Sequence, residues 1–253
     1  MKIYKYNEID STNSEALRIL RQNNRETEDF AVCAEYQTCG RGQTGNKWIA
    51  QAGKNITMSV AVRYTDFAAV KQFKISQAVA VAVVKYLEKK GIANVNIKWP
   101  NDIYVGMKKI CGILLETSIY GRNIKHAIAG IGLNINQTVF SDNLPNPISM
   151  KIITGEDYIL QTEIEILAQE TLSAMKNVDS DNLVAEQYLQ LLLGKNAPLL
   201  YAYNDEIKSF ITIGTDDIGR IIVKDTNDNK IKKYNFKEIE LLIPQPKTAT
   251  GNE

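Results

Sequence analysis

Ile97 to Ser118 reads IKWPNDIYVGMKKICGILLETS, and the rest of the chain is organised around it. The stretch has the alternation and turn chemistry of a β-hairpin. Ile97 to Trp99 is a short extended run, and Pro100 favours extended geometry at Trp99 while removing a backbone donor. Asn101 and Asp102 then put polar side chains where a plain strand continues with apolar ones. Ile103 to Val105 resumes the strand, Gly106-Met107-Lys108 supplies a turn, and Lys109 to Glu116 runs back. Gly112, inside the returning strand, marks a bulge or a close approach by backbone or ligand. Lys98, Lys109, the Asn-Asp pair and a strand glycine thus fall on neighbouring strands, which suits an anion lying across a sheet. Each residue type also has an ordinary use: lysines keep hairpins soluble, and Pro-Asn-Asp is common turn chemistry. What surrounds the stretch decides between the two.

Downstream, Tyr120-Gly121-Arg122-Asn123 reads as a hairpin turn into a strand from Ile124 to Ile135. Gly130 and Gly132 alternate there with apolar residues, leaving one face bare for another strand or a ligand to pack against. Period-two counting points Asn134 and Asn136 the same way. Upstream, Phe67 to Lys90 reads as a long helix whose apolar breadth fits burial against a sheet, closed by Gly91. Before it come strands at Lys2 to Tyr6, Phe30 to Tyr36 and Ile56 to Val62. Asp10-Ser11-Thr12-Asn13 offers N-cap residues for a helix reaching about Asn23, with Ala16, Leu17 and Leu20 on one face. Gln37 to Lys47, QTCGRGQTGNK, is a glycine-punctuated loop whose freed N–H groups can turn toward an anion, with Arg41 between two glycines. It is neither a Walker A loop nor a dinucleotide fingerprint. Trp48 follows, a flat side chain suited to the core or to a ring.

Composition narrows the classes. The chain has 253 residues, enough for one large domain with a small appendage. A formal net charge of +1 gives no global attraction to nucleic acid or anionic membrane, so an anion site is local. No apolar run approaches transmembrane length, and MKIYKYNEIDST lacks the apolar core of a signal peptide. Cys33, Cys39 and Cys111 lack metal spacing and fit reduced thiols in a cytoplasm. His126, the only histidine, lies in an apolar run and reads as structural, which argues against a histidine triad or a multi-histidine metal site.

After a polar connection with a short helix near Ser149 come amphipathic helices at Thr162 to Asn177 and Ser180 to Leu193. Short alternating runs follow Gly194-Lys195-Asn196: Glu206 to Ile213, Arg220 to Asp225, Lys230 to Phe236 and Glu238 to Ile243. They fit a small all-β barrel. Residues 244–253 read as a flexible tail.

Four segments together resemble the biotin–protein ligases. They are Asp10 to Asn13; Glu35-Tyr36-Gln37 leading to Gly40-Arg41-Gly42 and on through Gly45 to Trp48; Lys98-Trp99-Pro100-Asn101-Asp102-Ile103 with Lys109 to Leu114; and Gly130 to Asn134. The resemblance extends from Lys2 to about Ile243. It implies an α+β fold: a mixed-sheet catalytic domain backed by helices, of the class II synthetase-like kind, at 1–195, then an SH3-like barrel at 196–243. It also implies coupling of biotin to ATP as biotinyl-5′-adenylate with release of pyrophosphate. Biotin then passes to a lysine of a biotin carboxyl carrier protein or domain, in the cytoplasm. Some bacterial members carry an N-terminal DNA-binding repressor arm. The first motif here begins by residue 10, so the expectation is a ligase without that arm and without DNA binding, a homodimer being left open.

The resemblance also implies residue roles. Lys109 is expected to touch both the biotin carboxylate and the α-phosphate, with Arg41 and its loop closing over the intermediate. Ser11, Thr12, Asn13 and Gln37 are expected at the biotin ureido ring, with Gly40 and Gly112 completing the biotin site. Gly42, Lys47, Trp48, Asn101, Asp102, Gly130, Gly132 and Asn134 are expected to serve ATP and the adenylate, Asn134 meeting adenine. Asp102 is expected near the phosphates, positioning Mg²⁺ or the acceptor lysine; metal ligands are otherwise undetermined. Biotin's carboxylate is ionised at neutral pH, so adenylation needs fixed cations and N–H donors rather than a general base. Gln43 and Asn46 stand where many members carry basic residues, so this loop brings fewer cations to the phosphate. A lipoate–protein ligase shares the fold and reaction logic, but Ser11, Thr12, Asn13 and Gln37 suit a ureido ring better than a dithiolane. A catalytically silent binder of biotin or nucleotide is the alternative from another class, and retention of Lys109 and Arg41 argues against it.

Overall fold

The computed structural model describes residues 1–22, 28–43 and 45–243; the expected tail at 244–253 lies outside them. The chain opens with strand β1 (Lys2–Ile9), helix α1 (Thr12–Gln22) and strands β2 (Phe30–Gln37) and β3 (Ile56–Arg63). A 3-10 turn, Ala69–Lys71, leads into helix α2 (Gln72–Lys89). Strands β4 (Val95–Lys98), β5 (Asp102–Val105), β6 (Lys108–Tyr120) and β7 (Asn123–Leu133) follow. Helices α3 (Met150–Thr154), α4 (Leu160–Lys176) and α5 (Val184–Leu191) precede β8 (Leu199–Tyr203), β9 (Glu206–Thr215), β10 (Ile221–Asp225), β11 (Ile231–Tyr234) and β12 (Glu240–Leu241).

The first seven strands form one mixed sheet in the order β1-β2-β3-β7-β6-β5-β4, parallel at β1–β2 and antiparallel elsewhere. Its two faces part by the period-two rule. Ala31 and Cys33, Met58 and Val60, and Ala129 and Ile131 face a core shared with α2, α4 and α5. Because the sheet and two helices surround it, α2 is buried around most of its circumference. On the opposite face Phe30, Val32, Ala61 and Ile128 meet Ala16, Ile19 and Leu20 of α1. α1 is short and covers only that part. Beyond it the same face turns small and polar, with Thr57, Ser59, Gly130 and Gly132.

Two expectations need correction. Ile97–Trp99 and Ile103–Val105 do not share a strand. The chain reverses at Trp99–Asn101, so Lys98 pairs with Asp102 and the segment is a three-strand meander, β4-β5-β6. The turn is fixed by Asn101, whose amide donates to the Ile113 carbonyl while its own carbonyl accepts from Ile113 N at 3.1 Å. The helix expected from Phe67 starts at Gln72. Phe67 is buried, and its carbonyl accepts from Ile124 N at 2.8 Å, so the backbone there is tied to β7.

The last five strands form an antiparallel sheet in the order β11-β10-β9-β8-β12. β8 lies ahead of the expected start. It joins β9 through Asn204-Asp205, at φ 48° and 61°, which is two-residue hairpin geometry. Tyr201, Phe210, Val223 and Tyr234 form this sheet's own core. It is an open ladder with β11 and β12 at its edges; closure into a barrel is not shown. Trp99 pins it to the main sheet, donating from Nε1 to the Gly219 carbonyl at 2.8 Å and meeting Phe236 edge-on at 6.1 Å.

Candidate functional site

Where α1 stops covering the mixed sheet, a cavity of about 500 Å³ opens. That size suits a small-molecule ligand. Its floor consists of register partners. Lys98, Asp102, Gly112, Gly132 and Thr57 lie directly opposite one another in a row across β4, β5, β6, β7 and β3. A second row runs Leu114, Gly130, Ser59. Gly112 and Gly132 stand side by side, which bares the middle of the floor.

At the α1 end the polar groups interlock. Gln37 Oε1 accepts from Thr12 N at 2.7 Å and from Thr12 Oγ1 at 3.0 Å. Ser59 Oγ lies 2.7 Å from Thr12 Oγ1 and 2.5 Å from Asn13 Oδ1. Asn13 Nδ2 donates to Glu116 Oε2 at 2.7 Å, and the same carboxylate oxygen takes Arg41 Nη2 at 3.1 Å. Ser11, Thr12 and Asn13 are all buried because they precede and open a helix that abuts the sheet. Gly130 is needed here: a Cβ on it lies 2.3 Å from Asn13 Oδ1.

The loop folds back on itself. Arg41 and Lys47 form an antiparallel bridge, Gly42 N donates to the Asn46 carbonyl at 2.7 Å, and Trp48 N to the Gly40 carbonyl at 3.0 Å. This returns Trp48 to the bare floor. A Cβ on Gly132 lies 2.2 Å from Trp48 Cε2, and one on Gly112 lies 3.2 Å from Cζ3. The group packed on the glycine face is therefore this indole. Its Nε1 is buried and has no acceptor among the described residues, and Gln43 Oε1 is likewise without a donor.

Lys109 reaches the floor by a bulge. Three positions from Gly112, strict alternation turns it to the opposite face. The ladder slips between Ile103 and Tyr104, so Tyr104 pairs with Lys109 and the lysine joins the face of Asp102. Its Nζ sits 2.8 Å from Asp102 Oδ1 and 5.9 Å from the Trp48 ring centroid. Lys98 stands one strand beyond Asp102. Burial holds its pKa below the usual lysine range, against the opposing pull of Asp102. Phe236 and Lys237, between β11 and β12, and Glu240 of β12 line this end.

The structure thus brings Ser11, Thr12, Asn13, Gln37, Arg41, Gly42, Lys47, Trp48, Asn101, Asp102, Lys109, Gly112, Gly130 and Gly132 to one cavity. Two expected residues stand elsewhere. Asn134 lies past the end of β7, so period-two counting no longer applies, and its amide donates to the Ile148 carbonyl at 3.0 Å. It latches the segment before α3 rather than facing the floor. Gly40 packs under the loop, where a Cβ lies 2.5 Å from the Trp48 carbonyl oxygen. Ser59, Glu116 and the C-terminal wall were not expected, and Lys98, read with Lys109 as suiting an anion, had no specific role. Ser59 had one signal, a hydroxyl two positions from Thr57 in an otherwise apolar strand. His126 lies on β7 opposite Arg63, outside the cavity. Among the described residues no cluster of three or more His, Cys, Asp or Glu could hold a metal ion, and Asp102 and Glu240 are the carboxylates lining the cavity.

This architecture, a helix-backed mixed sheet with a second small sheet over one end of its open face, is that of the solved biotin protein ligases. The Aquifex aeolicus biotin protein ligase in complex with biotin and ATP superposes with a TM-score of 0.75 at 21% identity, covering 96% of this chain and 99% of that one. The chain belongs to the biotin/lipoate A/B protein ligase family, whose model matches residues 7–134. The "Bifunctional ligase/repressor BirA" of Bacillus spizizenii is 36% identical over 141 residues, which is 56% of this chain and 42% of that protein. The "Biotin--[acetyl-CoA-carboxylase] ligase" of Paracoccus denitrificans is 27% identical over 222 residues, 85% of this chain and 91% of that one. The match to BirA proteins of Bacillus thus spans about two-fifths of their length, 42% and 40%.

Proposed function

We propose that this chain joins biotin to ATP, giving biotinyl-5′-adenylate and pyrophosphate, and then transfers biotin to the acceptor lysine of a biotin carboxyl carrier protein or domain in the cytoplasm. The observation that carries the reading is the bulge that turns Lys109 onto the cavity floor between the uncharged hydrogen-bonding cluster and the Lys98 end of the row. The uncharged donors and acceptors of Ser11, Thr12, Asn13 and Gln37 suit a ureido group. The valeryl chain then crosses the floor and its carboxylate meets Lys109, whose ammonium also takes the α-phosphate. The carboxylate attacks phosphorus, and charge builds where a fixed cation already stands. The unpaired Trp48 Nε1 and Gln43 Oε1 suit a purine edge, which offers both acceptors and donors. Mg²⁺ commonly arrives on ATP phosphates with only one or two protein carboxylates. Asp102 and Glu240 fit that pattern, and the ion shields phosphate charge when bound.

In this reading residues 1–195 are the catalytic domain and 196–243 an SH3-like barrel whose edge residues complete the cavity. Transfer then needs only that the acceptor amine reach the mixed anhydride, with Arg41 and its loop excluding water. The test is pyrophosphate release from ATP and Mg²⁺ with biotin, with lipoate or with neither. Release with biotin alone is expected. Release with lipoate and not biotin moves the chain to the other branch of its family, and release with neither marks a binder.

A further inference from the structure

We propose that Lys98 is the cation that receives the departing pyrophosphate. The proposal rests on the adenylating function proposed above and concerns a residue to which that function assigns no role.

The cavity is elongated across the strands. Its hydrogen-bonding end lies over β3 and β7, Lys109 stands at β6, and Lys98 closes the row on β4. Displacement at phosphorus places the attacking and leaving oxygens roughly in line. A carboxylate that reaches Lys109 from the β7 side therefore expels its leaving group toward β4. The new bond joins the carboxylate oxygen to the α-phosphorus, and the bond from that phosphorus to the β-phosphate oxygen breaks. The electron pair leaves on pyrophosphate, no proton moves, and negative charge gathers at the far end of the row. Neighbouring strands are about 4.8 Å apart, so Lys98 stands roughly 10 Å beyond β6, within reach of a diphosphate and a lysine stem.

Lys98 is suited to that charge. Lys109 is engaged by Asp102 at 2.8 Å, whereas Lys98 makes no ion pair or hydrogen bond among the described residues and lies 5.7 Å from the Tyr104 ring centroid. It is a half-buried cation at the seam with the C-terminal sheet, with Asp102, Lys109 and Glu240 as its charged neighbours. A half-buried ammonium with no carboxylate bound to it is incompletely solvated, and an arriving polyanion supplies the missing partner. The loop's Gln43 and Asn46 carry no charge to do the same.

The test uses the full chain and biotin-dependent exchange of pyrophosphate into ATP, comparing wild type with Lys98→Gln and Lys98→Arg. Lys98→Gln is expected to raise the pyrophosphate KM about tenfold or more. Affinity for biotin alone and transfer from supplied biotinyl-adenylate should stay at the wild-type level, and Lys98→Arg should restore most of the loss. A wild-type pyrophosphate KM in Lys98→Gln overturns the inference. So does equal loss of transfer from supplied adenylate, which a structural role predicts. If the glutamine variant does not fold, Lys98→Met is measured by the same criteria. Wild-type chain with no biotin-dependent exchange contradicts the ligase function itself, an outcome distinct from failure at Lys98 alone.

Discussion

Ser59 has no solvent exposure, yet its hydroxyl contacts Thr12 and Asn13, both expected at the ureido ring. Removing that hydroxyl leaves buried partners short of a bond, a penalty of about 1–3 kcal/mol. Ser59→Ala should raise the biotin KM roughly fivefold or more with kcat little changed, because the lost contact positions the ground state and transition state alike. Steady-state kinetics at varied biotin check this, and an unchanged KM removes Ser59 from the site. Glu116 links the same cluster to Arg41, but both side chains are over a third exposed, 47% for Arg41 and 39% for Glu116. Exposed pairs contribute about 0–1 kcal/mol, so this pair is a weak latch on the loop. Residue types at this scale were visible in the sequence, but polar groups beside a helix start and an Arg between glycines serve a cap and a flexible loop as readily as an anion site. Their partners were not visible there, because Ser59 and Glu116 lie far along the chain from Asn13.

Strands β5 and β6 show why element geometry outruns counting. Alternation places Lys109 on the wrong face, and only the slip between Ile103 and Tyr104 restores it. A Gly112 in mid-strand announced an irregularity without saying which side chain it re-aimed. Asn134 failed in the opposite sense, since its strand ends at Leu133 and the period stops with it. Gly130 and Gly132 were read as a face for another strand or a ligand, but side chains of the chain itself occupy it, Asn13 over Gly130 and Trp48 over Gly132. Gly132→Ala should therefore expel the indole, at an overpacking cost of about 1–3 kcal/mol. ATP affinity should fall while the circular dichroism of the fold persists. A folded variant with unchanged affinity shows that nucleotide does not use this floor.

Across the whole molecule, the alternation and turns that fold the C-terminal strands are legible, whereas their contact with the cavity is not. That contact depends on Trp99, in the organising stretch itself, reaching Gly219 and Phe236. Trp99→Phe removes the Nε1 bond to Gly219 and keeps most of the ring, costing about 0.5–1.5 kcal/mol of stability. It should weaken ATP use more than biotin binding, because the wall it holds lies at the phosphate end. Equal losses of both point to a general loosening instead.

The central claim is that one cavity forces a carboxylate and an α-phosphate together on Lys109. Lys109→Gln keeps length and polarity and removes the charge. Loss of a preorganised donor at developing charge costs about 2.7–4 kcal/mol, so biotin-dependent pyrophosphate release should fall roughly 10²–10³-fold. Biotin binding should fall far less, since the ureido contacts lie at the other end. Release within about threefold of wild type, a loss under ~1 kcal/mol, contradicts the account.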